Sequence, residues 1–406
     1  MQATSKGNKQ MLFLMINMFI AMLGIGLIIP VLPEFLKEFG AGGKTAGYLI
    51  AAFGVTQFIF SPIAGELSDK YGRKIMIVAG LLLFTVSNLV FAVAEQIPLL
   101  YLSRLIGGVG AAAMIPAMLA YVADITSEES RGKGLGLLGA SMSLGFVIGP
   151  GIGGFLAEFG FRTPFYVSAA VGALATIGSL LFVPESLSRE ARAAARAAIV
   201  KRDNIFKQFA KSFKASYFIL LVLIFSLTFG LANFEAIFPL FVDAKFGYTA
   251  LEISIIITVG ALAGTVIQAL FIGKLINRFG EKRLINWTFL LSAAALLLML
   301  LSGNFVYVLI LTAFFFTFTS VMRPAINTLL SKSAGDEQGF VAGMNNAYMS
   351  LGNIFGPAVA GTIYDVHINA PYMLGAVVLV ISLYLSMRRG GKAKPAAAGD
   401  RALVEH

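Results

Sequence analysis

Of the twenty-one acidic residues in the chain, Glu235 alone falls within the body of a long apolar segment, in FGLANFEAIFPLF. A carboxyl group held out of water can keep a proton while closed off and release it when water or a cation arrives. Phe234 and Phe238 flank it in sequence, and aromatic faces attract organic cations. The bland alternative is a permanently neutral glutamate that hydrogen-bonds between helices. Two arginines share the apolar setting: Arg104 near the start of its segment in YLSRLIGGVGAAAMIPA, and Arg323 deeper in FTFTSVMRPAIN. Arginine in hydrocarbon is costly and marks a functional site by default, although one near a segment end can snorkel to the interface. Asn17, Gln57, Met114, Met142, Phe146, Asn327, Asn345 and Asn346 could also line a cavity. For any one methionine or phenylalanine, packing against lipid or a neighbouring helix is the commoner role. Such surfaces nevertheless adapt to ligands of varied shape.

The elements that must position these residues are membrane-spanning helices. The chain has 406 residues, 58% hydrophobic and 13% charged, against about 25% charged in globular domains. Crossing roughly 30 Å of hydrocarbon takes around 20 apolar residues in a helix. Twelve such segments are expected, at 10–33, 45–68, 74–94, 98–123, 133–158, 163–184, 216–241, 250–274, 283–302, 305–330, 339–362 and 370–388. The first is too long for a typical signal-peptide apolar region and is read as a span. With no cysteine, and with His367 in a loop and His406 at the tail, disulfides, thiolate metal sites and histidine-based metal or triad chemistry are excluded. No nucleophile and base pair emerges, so an enzyme is not expected.

The chain repeats itself in the same direction. GFVIGPGIGG, with Gly145, Gly149, Pro150 and Gly154, returns as GNIFGPAVAG, with Gly356 and Pro357. Glycine and proline disfavour a helix in water by roughly 1 and 3 kcal/mol. In a membrane, however, glycine admits close helix approach and neighbours satisfy the backbone that proline frees. GELSDKYGRK (65–74) likewise returns as GKLINRFGEK (273–282). In the first copy Gly72 supplies a tight turn, while Asp69 and Arg73 offer charges that could pair across the two halves as a gate, with Asp124 a partner for Arg73. Alternatively the basic residues only set topology. Parallel repeats related by an axis along the membrane normal are one architecture of secondary transporters.

An even number of spans puts both termini on one side. If that side is cytoplasmic, it holds twenty-five of the thirty-one Lys and Arg, against four (Lys37, Lys44, Arg162, Lys245) on the other. This is the positive-inside pattern, and it explains the net charge of +10 through contact with anionic lipid rather than nucleic acid. The expected organisation is a six-helix bundle over 1–184, a partly helical cytoplasmic linker over 185–214, a second six-helix bundle over 215–388, and a disordered tail over 389–406.

Together these motifs resemble the major facilitator superfamily, and within it the twelve-span drug/proton antiporters of the bacterial NorA, Bmr and Blt type. GELSDKYGRK resembles the superfamily's loop signature, LSRLIGGVGAAAMIPA its fourth-span arginine motif, GFVIGPGIGG the antiporter motif of the fifth span, and LGIGLIIPVLP the first-span signature of the subgroup. The resemblance implies an all-α membrane fold of two pseudo-twofold related bundles around a central cavity. It implies export of hydrophobic, often cationic drugs from a bacterial cytoplasmic membrane, hence antibiotic resistance, by a functional monomer that couples to protons and needs no cofactor. It further implies that Glu235 carries protons, that Arg104 assists, and that Arg323 and Gln57 line the cavity. Ser320 stands where some relatives carry an aspartate, which bears on proton number and on doubly charged drugs. A dedicated exporter of one metabolite, such as a polyamine or sugar, is the alternative within the class. A sensor or scaffold that has lost transport is the alternative outside it.

Overall fold

The computed structural model describes residues 2–197 and 205–388. The centre of the expected linker, the expected tail and His406 lie outside the described residues. Every regular element among those described is helical, and twelve helices are long: α1 (Gln2–Gly26), α2 (Gly43–Tyr71), α3 (Arg73–Ala92), α4 (Ile97–Ile125), α5 (Glu128–Ala157), α6 (Thr163–Phe182), α7 (Phe218–Phe246), α8 (Ala250–Phe279), α9 (Glu281–Leu298), α10 (Phe305–Ser333), α11 (Gln338–Tyr364) and α12 (Ala370–Arg388).

Several helices run past their apolar segments, because hydrogen bonding continues where the side chains turn polar. α2 passes through Glu66, Asp69 and Lys70 and stops only at Gly72, whose φ of +119° suits glycine. The repeat-related α8 stops at Gly280, with φ +73°. The first apolar segment instead breaks: α1 ends at Gly26, and Pro30 and Pro33 lie in a 3₁₀ turn (Ile29–Val31) and a short helix (Leu32–Glu38).

Ten of the twelve helices are long and apolar enough to cross a membrane. The other two are α9, which opens on Glu281, Lys282 and Arg283, and α11, which carries Asn345, Asn346 and Asn353. α11 packs on α7 and on α2; of its asparagines, Asn345 is half-buried and Asn346 and Asn353 are exposed.

Among the described residues, two of the three hydrophobic clusters are built from buried residues of one half, while the one around Phe35 also takes in Leu240 of α7. One gathers Leu14, Phe84, Met114 and Tyr121 of the first half, another Phe35, Phe91 and Phe165, and the largest Phe234, Phe238, Phe289, Phe315 and Tyr372 of the second. The connection between halves carries two short helices, Arg189–Ala197 and Ile205–Phe213, which leave one face of the molecule, here the linker face. Arg73 reaching Asp124 and Lys332 reaching Glu281 place the α2–α3, α4–α5, α8–α9 and α10–α11 turns on that face. Arg162 with Glu38, and Lys37 with Asp243, mark the far face.

Candidate functional site

The two glycine-rich stretches each serve two interfaces. Gly149 lies so close to α1 that a Cβ there would fall 2.8 Å from the Leu23 carbonyl oxygen and 2.9 Å from Gly26 Cα. Gly145 and Gly153, one turn to either side, back onto the Phe19 and Leu27 carbonyls. Gly151 and Gly154 point the other way, to Thr258 and Ser254 of α8 in the other half. The second copy repeats this: Gly352 and Gly356 abut α7 at the Phe225 and Phe229 carbonyls (2.9 and 2.7 Å), while Gly361 meets Gly43 and Gly47 of α2 across the halves. Pro150 and Pro357 are buried in these seams.

These contacts between halves lie toward the far face. There Asp365, just beyond α11, accepts hydrogen bonds from the backbone N–H groups of Gly43 (2.7 Å) and Lys44 (3.1 Å) at the start of α2. Lys37 pairs with Asp243 at 2.7 Å.

At the linker face the charges of the first repeated loop stay within the first half, contrary to the expectation of pairing across halves. Arg73 binds Asp69 at 2.5 Å and Asp124 at 3.3 Å, and donates to Ser68 Oγ. Lys70 binds Glu66. Glu185, which no sequence motif marked, accepts from the N–H groups of Arg73 (2.9 Å) and Lys74 (3.2 Å) at the start of α3 and sits against Gly72. Arg192 and Arg196 of the first linker helix donate to the last carbonyls of α2, on Tyr71 and Lys70. The turn is thus capped on both sides by the segment that follows α6.

Glu235 is the eighteenth of the 29 residues of α7 and is half-buried. Among the described residues its carboxylate makes neither a hydrogen bond nor an ion pair within 4 Å; the charge it feels is that of Arg323 on α10. Arg323 is half-buried and equally uncommitted. One turn along α10 lies Asn327, whose Oδ1 has no partner. On α11 the Asn345 amide reaches only Met349 Sδ, at 3.9 Å, and its Oδ1 is likewise unpartnered. Gln57 on α2 and Phe146 on α5 are half-buried. Ser320, one turn before Arg323, packs against Gly264 of α8.

Several expected cavity residues are elsewhere. Phe234 (2% exposed) and Phe238 (0%) do not accompany Glu235 but turn into the core of the second half. Phe234 packs on Phe238, Phe315 and Phe316, with ring centroids 4.8, 4.7 and 5.7 Å apart. Phe234, adjacent to Glu235, points about 100° away from it around the helix; Phe238, three residues on, is only about 60° away but is drawn into the core by its contact with Phe234. Met114 is fully buried against Gly80 of α3, where small residues on two helices draw it inward. Asn17 is buried as well, donating to Ser179 Oγ at 2.8 Å inside the first half. Arg104 is 8% exposed, stacked 4.5 Å over the Phe91 ring, its charge balanced by no carboxylate among the described residues.

Comparison with known proteins matches this architecture. A model of the Major Facilitator Superfamily aligns to residues 14–268 and 220–404. Multidrug resistance protein 2 of Bacillus subtilis is 44% identical over 387 residues, covering 95% of this chain and 96% of its own. The quinolone resistance protein NorA of Staphylococcus aureus is 38% identical over 382, covering 92% and 96%. Among solved structures, the nucleoside transporter NupG superposes with a TM-score of 0.76 at 14% identity, covering 95% of this chain and 100% of that one. A bacterial homologue of the human lysosomal transporter Spinster, in an inward-facing and occupied conformation, gives 0.76 at 14%, covering 94% and 96%. On the family match and the extent of these identities, the chain belongs to the Major Facilitator Superfamily.

Proposed function

We propose that this protein exports hydrophobic, often cationic compounds across a bacterial cytoplasmic membrane in exchange for protons, working as a monomer without a cofactor. The observation that carries this reading is the carboxylate of Glu235, half-buried within a spanning helix and, among the described residues, engaged by no hydrogen bond or ion pair. A permanently neutral structural glutamate would be expected to spend its hydrogen bonds on a neighbouring helix; Glu235 keeps them available. Arg323, Asn327, Asn345, Gln57 and Phe146 supply the remaining polar and aromatic lining, and Arg104 supports proton movement from the first half. The pair at 38–44% identity, whose names denote multidrug and quinolone resistance, supports the substrate class.

The excess of basic residues on the linker face supports its being cytoplasmic. The contacts between halves then lie toward the outside, an arrangement that would suit admission of a compound from within. Alternating access would bring the far-face seam apart, protonate Glu235 and release the compound. Proteoliposomes containing only this protein provide the test: an imposed proton gradient should drive dye efflux, and Glu235→Gln should abolish drug-driven proton release while the protein still folds. Wild-type exchange by the Gln variant would remove Glu235 from the mechanism.

A further inference from the structure

The two copies of the charged loop have diverged in one respect. In the first, Glu66 and Asp69 balance Lys70 and Arg73, and Glu185 brings a further carboxylate to the turn. At the corresponding places, 208 residues on, stand Lys274 for Glu66 and Asn277 for Asp69. The remaining acid of the second copy, Glu281, is taken by Lys332 at 2.5 Å. Lys274, Arg278, Lys282 and Arg283 are all exposed, and among the described residues none forms an ion pair. Apolar surface lies directly beneath: Phe271 is 41% exposed, Phe279 45%, and Trp287, one turn below Arg283 on α9, 60%. Lys274 and Arg278 rest over the Phe271 and Phe279 rings. Ser386 bonds Asn286 at 2.7 Å, which sets the end of α12, with exposed Arg388, beside α9.

We propose that this second loop is a docking surface for an anionic phospholipid headgroup, with the phosphodiester held by Lys282, Arg283 and the basic residues of the end of α8, and the acyl chains lying along Trp287. Unpaired cations over exposed aromatic rings fit a charged headgroup above hydrocarbon, the arrangement found at membrane interfaces. A soluble acidic partner would gain nothing from the apolar surface below. In the first loop Lys70 and Arg73 are already paired with acids and Lys74 donates to the Leu180 carbonyl, which leaves less of its own charge to seek an outside anion.

Trp287 is the chain's single tryptophan, so its quenching by brominated lipid reports the lipid beside it. In nanodiscs mixing phosphatidylglycerol and phosphatidylcholine, brominated phosphatidylglycerol should quench Trp287 as though enriched about threefold or more over its mole fraction, on the scale set by several basic residues near an anionic lipid. Lys282→Gln with Arg283→Gln should bring this to the bulk value, whereas Arg131→Gln with Lys133→Gln, exposed basic positions at the start of α5, should not. Quenching that follows mole fraction in the unaltered protein would overturn the proposal without recourse to any variant. Loss of the enrichment on adding millimolar inorganic phosphate at constant ionic strength would overturn it too, by showing a site for a free anion.

Discussion

The far face and the linker face hold the two halves in opposite ways. At the far face contacts cross between halves and reach the backbone: Gly361 against Gly43, Gly154 against Ser254, Asp365 on the start of α2. At the linker face each charged cluster is completed within its own half, Arg73 by Asp69 and Asp124, Lys211 by Glu337, Lys332 by Glu281. A seam made of glycine and peptide groups tolerates little displacement before its contacts are lost. Clusters complete in themselves do not hinder the halves from parting. Closing the linker face must therefore create contacts between halves, whereas opening the far face needs existing ones to break.

Enlarging a seam glycine should disturb the far face most. A Cβ on Gly47 would land on the Pro357 carbonyl oxygen, a backbone atom that cannot swing aside. Gly47→Leu therefore overpacks the closed far face by about 1 to 3 kcal/mol, roughly a 5- to 150-fold shift toward far-face opening. The chain has no cysteine, so spin labels on Phe159→Cys and Leu301→Cys, exposed far-face positions of the two halves, would report the distance without background. Gly136→Leu, where a Cβ would meet nothing within 4 Å, should leave that distance distribution unchanged.

The polar latch should matter less. Asp365→Asn keeps the shape but weakens two charge-assisted hydrogen bonds, and at so exposed a carboxylate about 1 kcal/mol is expected, several-fold in population. The Lys37–Asp243 pair, with its lysine side chain 63% exposed, is a surface ion pair worth about 0 to 1 kcal/mol. Lys37→Gln should shift the same distance distribution by less than Asp365→Asn. High salt should erase the difference from the unaltered protein.

What the sequence makes legible follows from which physics is local. Helix-length apolar runs, the duplication and the turn at Gly72 are written in neighbouring residues. So is the need for close packing along Gly145 and Gly149, because glycines spaced by about a turn mark one face of a helix, whereas Gly154 serves the opposite face, against Ser254 of the other half. The direction of a side chain about its helix is less legible: the single step from Glu235 to Phe234 turns from the half-buried face into the core. Partners distant in sequence are least legible. Glu185 and Asp365 reach helix starts 112 and 322 residues away, and nothing near either residue names its target. A hint lay in their being acids immediately after a span, where a carboxylate can reach exposed N–H groups of another helix.

The smallest effect concerns the linker face and sharpens the idea that its clusters belong to one half. Glu337, in the turn between α10 and α11, accepts from Lys211 Nζ at 2.7 Å and Tyr217 Oη at 2.9 Å. It thereby ties the second linker helix to the second half. Both bonds favour the ionised carboxylate, so its pKa lies below the ordinary glutamate value, Lys211 being the first cause and Tyr217 the next. A lowered pKa means that the stabilisation is fully present above the ordinary carboxylate range and is lost only as pH falls through the lower, bound-state value. Hydrogen exchange of residues 207–213 should therefore be no less protected at pH 6 than at pH 8, after correction for the intrinsic rate. Protection should fall only below about pH 4, near the reference glutamate value, and Glu337→Gln should show that weaker protection at every pH. Because the tie lies within one half, the far-face distance between the labels should not change in the Gln variant. A coupled change there would mean that the linker cluster communicates with the seam, and that the two faces are not held independently.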